Sequence, residues 1–126
     1  MNPKQSSCGC ACNAGPKLIF SCSGAADVGE LADRTARKLT SNGKGKMSCL
    51  AGVGGRVSGI LKSAEAAASI LAIDGCALDC AKKSLKAAGF TRINHLRITD
   101  LGFEKGKTDV SSDSISQVVE KADLFL

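Results

Sequence analysis

Apolar and polar residues change rhythm along the chain four times, each time from a short apolar run to a helical spacing. Leu18-Ile19-Phe20, within Lys17 to Cys22, is the first run, closed by the small residues Ser21, Cys22, Ser23 and Gly24. From Ala25 to Thr40 the period is helical. Val28, Leu31, Ala32, Thr35 and Leu39 share one face, and Glu30, Asp33, Arg34, Arg37 and Lys38 the other. Acids at its start, bases at its end and Ser41-Asn42-Gly43 beyond suit a helix and its stop. Met47 to Ala51 predicts a second strand, Gly52-Val53-Gly54-Gly55 a loop, and Ser58 to Ala67 a helix with Ile60, Leu61, Ala64 and Ala68 inward. Ser69 to Ile73 is the third strand, and its unbroken apolar run suits burial on both faces. Cys76 to Ala88 predicts a helix with Leu78, Ala81 and Leu85 inward and Gly89 beyond its end. A fourth strand centres on His95-Leu96-Arg97-Ile98. The last helix starts near Ser112 to Ser114, with Ser114 and Gln117 spaced as a capping box and Ile115, Val118, Val119 and Ala122 as its stripe.

The order βαβαβαβα predicts one α/β domain over residues 17–126. It is a three-layer α/β/α sandwich around a four-stranded parallel sheet, its order taken as 2-1-3-4, Rossmann- or flavodoxin-like, with right-handed crossovers. Its functional crevice belongs at the carboxyl ends of the strands. Residues 1–16 show no period and read as a flexible tail carrying Cys8, Cys10 and Cys12. Those three thiols are expected to be unligated in the resting protein; a second metal or metalloid clamp, or a thiol relay, is the alternative.

Composition narrows the partners. With four Phe and no Tyr or Trp, the core must be aliphatic. A net charge of +5 without stacking aromatics is a poor single-strand platform, so nucleic acid is not an expected partner. The start of the chain has no apolar signal core, and the longest apolar run is far short of the ~20 residues of a membrane span. A cytoplasmic protein with no membrane partner is therefore expected. Seven cysteines in a reducing compartment suggest metal or redox chemistry, and an odd count argues against a fully paired disulfide framework.

Cys22, Cys49 and Cys76 each follow a different strand. In the order 2-1-3-4, Cys22 is central, with Cys49 and Cys76 on neighbouring strands ~4.8 Å to either side. Cys76 and Cys80, four apart on a helix, fall on one face. Four such thiolates suit tetrahedral Zn²⁺, and the same set suits an iron–sulfur cluster. Two other readings stay open: a thiol enzyme or sulfur or metalloid carrier using Cys22 or Cys76 as a low-pKa nucleophile, and inert small core cysteines. Asp74 is expected to cap the following helix or to orient the turn. Gly52-Val53-Gly54-Gly55-Arg56 lacks the Lys-Ser/Thr of a nucleotide loop and reads as a tight turn rather than an anion cradle. A phosphatase-like role for Cys22 wants an Arg closing its loop, and none is there. His95, the single histidine, reads as a core or surface residue without a ligand partner.

Four segments together carry a resemblance: Cys22-Ser23-Gly24; Met47-Ser48-Cys49-Leu50-Ala51-Gly52-Val53-Gly54-Gly55; Asp74-Gly75-Cys76 with Cys80-Ala81-Lys82-Lys83; and Thr99-Asp100-Leu101-Gly102. In that order they resemble the DGC-domain family, described as zinc-binding on the strength of four cysteines. The resemblance spans Lys17 to Gly102. It implies Cys22, Cys49, Cys76 and Cys80 as metal ligands and implies no activity.

Overall fold

The computed structural model describes residues 15–126. The expectations for Cys8, Cys10 and Cys12 lie outside the described residues. Four strands, β1 (Lys17–Ser21), β2 (Lys46–Met47), β3 (Ser69–Asp74) and β4 (Asn94–Arg97), form one sheet in the order β2-β1-β3-β4. Every pairing is parallel, as predicted. The helices are α1 (Asp27–Ser41), α2 (Leu50–Gly54), α3 (Ser58–Glu65), α4 (Cys80–Ala87) and α5 (Ser112–Asp123), with a 3-10 turn at Ile98–Leu101.

The central strands separate two cores by their side-chain alternation. Ile19, Leu71 and Ile73 pack on α1 and α5, with Leu31, Leu39 and Val118 in the same cluster. Leu18, Phe20, Ile70 and Ala72 point the other way, onto Val53 of α2, Ala64 of α3, and Ala81 and Leu85 of α4. All five residues predicted for the inner face of α1 are buried. None of the described helices is long and apolar enough to cross a membrane.

Three local expectations are corrected. The second strand is only Lys46–Met47, and the chain from Leu50 is helical where a strand end and a glycine loop were expected. Gly52 permits this, because a Cβ there would run into the Ile60 side chain of α3. The capping box of α5 is Ser111 with Ser114, three residues earlier than the Ser114–Gln117 pair. The helix expected from Cys76 begins at Cys80, because Asp79 has φ +53, a left-handed backbone that breaks helical continuity. Leu78, expected inward, is 60% exposed on the turn that results.

Candidate metal centre

Each of the four cysteines stands at the carboxyl rim. Cys22 follows β1, Cys49 is the residue before α2, Cys76 lies in the turn after β3, and Cys80 opens α4. All four are free thiols; Cys22 and Cys76 are half-buried, and Cys49 and Cys80 are exposed. Cys76 and Cys80 are not one turn apart on a helix, which corrects the expected local geometry.

The chain reaches this arrangement through the Asp74-Gly75 turn. Gly75 passes so close to α1 that an added Cβ would lie 2.7 Å from the Val28 carbonyl carbon. That approach brings the Gly75 N–H to the Cys22 sulfur, to which it donates at 3.3 Å. The Lys105 ammonium donates to Cys76 Sγ at 3.6 Å. Lys105 lies on the connection to α5, which is tied to the start of α1: the N–H groups of Gly106 and Thr108 both donate to the Asp27 carboxylate at 2.9 Å. These bonds hold the Asp27 carboxyl below the usual carboxylate range.

Asp74, 1% exposed, behaves as the expected helix cap. Its two oxygens accept from the N–H groups of Ala81 at 2.7 Å and Lys82 at 3.1 Å, satisfying two amides of the first turn of α4. His95 has partners that sequence reasoning missed. Its Nε2 lies 2.9 Å from Asp74 and 3.5 Å from Asp79. Arg97 grips Asp79 with a two-pronged contact, Nε at 2.9 Å and an Nη at 2.7 Å. These bonds, first among the causes, hold the Asp79 carboxyl below its ordinary range. The signal for this cluster is register. His95 pairs with Ala72 and Arg97 with Asp74, so a correct β3–β4 alignment puts His95 on the same sheet face as Asp74.

Among the described residues, Asp74, Asp79 and His95 are the one set of three potential ligand groups within 4.8 Å of one another. Their oxygens already accept from backbone amides, His95 and Arg97, so this cluster reads as a scaffold for the turn rather than a metal site. No three of the four cysteine sulfurs are that close. By chemistry the thiol set does fit a soft, four-coordinate ion: four sulfurs share one rim, and two already accept hydrogen bonds. Holding one ion with all four requires the sulfurs to draw closer.

Cys22 and Cys49 also line a cleft of ≈ 1020 Å³ that runs from the rim along the β2 edge, between α1 and α2. Cys76 and Cys80 are outside it.

The chain is 38% identical to the anaerobic and virulence modulator AnvM of Pseudomonas aeruginosa over 88 residues, which cover 70% of this chain and 67% of that protein. No solved structure matches. The model of the DGC domain matches residues 18–122, a span that takes in all four rim cysteines and the turn that joins them, and the chain belongs to the DGC-domain family.

Proposed function

We propose that this chain is a metal-binding protein that holds zinc through Cys22, Cys49, Cys76 and Cys80. The observation that carries this reading is the gathering of four free thiols on one rim, from the ends of three strands and the first residue of α4. The chain's own groups prepare the site. The Gly75 amide donates to the Cys22 sulfur, and the Lys105 ammonium to the Cys76 sulfur. The Asp74 cap and the Arg97–Asp79 fork fix where the turn between Cys76 and Cys80 begins and ends. Zinc would supply a closed, redox-inert centre. A reducing cytoplasm keeps the thiols available. Zinc occupancy that depends on thiol oxidation also accords with a relative named an anaerobic and virulence modulator.

Metal quantification on anaerobically purified protein tests this. One zinc per chain is expected, with loss of most metal in each of Cys22→Ser, Cys49→Ser, Cys76→Ser and Cys80→Ser. Full metal content in Cys49→Ser would overturn the four-ligand set. A coloured protein containing iron would replace zinc with an iron–sulfur cluster.

The wide spacing of the sulfurs favours a second reading, in which Cys22 or Cys76 acts as the nucleophile of a thiol enzyme or of a sulfur or metalloid carrier. It predicts one cysteine alkylated much faster than the others at neutral pH and no stoichiometric metal.

A further inference from the structure

The cleft beside Cys22 and Cys49 is far larger than an ion needs. At ≈ 1020 Å³ it reaches the upper end of the ~300–1,000 Å³ typical of small-molecule sites. One wall carries four polar side chains joined end to end. The Ser21 hydroxyl, 2% exposed, lies 2.6 Å from that of Ser23. Ser23 Oγ donates to Asp33 at 2.8 Å, and the other Asp33 oxygen accepts from Arg37 Nε at 2.7 Å. Ser23 makes its bridge from a left-handed backbone with φ +53, a conformation L-residues adopt reluctantly and proteins keep at functional sites. Burial pushes the Asp33 carboxyl up, but bonds from Arg37 and Ser23 outweigh it and keep the carboxyl below its usual range. The two terminal nitrogens of Arg37 take no acceptor among the described residues. Met47 and Leu50 add apolar surface to the same cleft. A fixed cation, a fixed anion, hydroxyls and an apolar strip together suit a molecule carrying both a carboxylate and an ammonium group.

We propose that this cleft binds a small zwitterionic carboxylate of up to tripeptide size, with its carboxylate on Arg37 and its body against Cys22 and Cys49. Arg37 offers the planar pair of donors that a carboxylate matches, and Asp33 stands beside it for the ammonium group. The bound molecule covers the two cysteines that line the cleft and leaves Cys76 and Cys80 open. The site goes beyond zinc binding and needs no metal.

The test uses the full chain, reduced and metal-free, with S-methylglutathione as the probe. That tripeptide carries carboxylates and an ammonium group but no free thiol, so it neither exchanges disulfides nor offers a thiolate to metal. Calorimetry should show saturable binding. Mass-spectrometric alkylation should show Cys22 and Cys49 slowed as the site fills, with Cys76 and Cys80 reacting at their original rates. Arg37→Gln, a change at a largely exposed helix position, should weaken binding about tenfold, and the probe's diester should not bind. Absence of saturation at millimolar probe, wild-type affinity in Arg37→Gln, or equal protection of all four cysteines would each overturn the proposal. Because zinc is absent throughout, the outcome is separate from that of the metal measurements.

Discussion

On the β3–β4 side of the carboxyl rim, each oxygen of Asp74 and Asp79 has a donor, and the backbone between them is held from both ends. On the β1–β2 side, the side chains of Ser21, Ser23, Asp33 and Arg37 are joined only to one another along an open cleft. The locked half carries Cys76 and Cys80, and the open half carries Cys22 and Cys49. Buried polar networks are worth most when every member is satisfied, and they then specify one conformation. Polar groups left with spare donors beside a cavity are suited to a partner from outside. The rim therefore divides its labour: one pair of thiols flanks a closed polar network, and the other pair lines an open cleft.

The largest expected effect is on the locked half. Asp74→Ala removes a buried carboxylate and leaves two helix amides and His95 without their acceptor, at a cost of about 3 kcal/mol. Urea denaturation measures this, and a loss under about 1 kcal/mol would mean that the network is not what holds α4. Gly75→Ala comes next, at about 2 kcal/mol, because the new Cβ meets the backbone of α1 rather than a movable side chain. Its readout is a lowered melting temperature.

Arg97→Gln should lower stability less than Gly75→Ala, since the fork to Asp79 is only partly shielded from water. It should also change the acid response. Asp79 is depressed when folded, so its contribution is complete above the ordinary aspartate value of 3.8 and fades as pH falls through the lower folded value. Stability measured against pH should therefore fall less steeply below about pH 4 in Arg97→Gln than in the wild type. The smallest effect belongs to Arg34→Ala, which breaks an exposed i,i+4 pair with Glu30 and should cost about 0.3 kcal/mol. A larger loss there would blur the contrast between satisfied and open polar groups.

The inner face of α1 was legible from its own period, and parallel pairing from the alternation of strands and helices; the order 2-1-3-4 was assumed rather than read, and the sheet has it. The rim was legible as far as its cysteines, since Cys22, Cys49 and Cys76 each follow a short apolar run and Cys80 lies four residues on. The geometry of the turn between Cys76 and Cys80 was not. Its left-handed Asp79 is held by Arg97, which is 18 residues away in the chain, and no local pattern announces that contact. His95 was passed over for the same reason: its partner Asp74 sits on the adjacent strand. Leu78 misled because its spacing from Ala81 and Leu85 is helical, while the backbone that would turn it inward begins only at Cys80. In Met47-Ser48-Cys49-Leu50-Ala51, small and apolar residues serve a strand or a short helix equally well, and contact with α3 selects the helix.

The connection that carries Lys105 has a consequence for net charge. A divalent ion bound by four thiolates keeps two surplus negative charges, and a half-buried position makes them costly to hold. Lys105 supplies one positive charge at the Cys76 sulfur, and the Gly75 amide contributes a partial one at Cys22. Asp27 tethers the segment bearing that lysine, at the opening turn of α1. A residue that touches no cysteine thereby helps decide how much anionic charge the rim can carry.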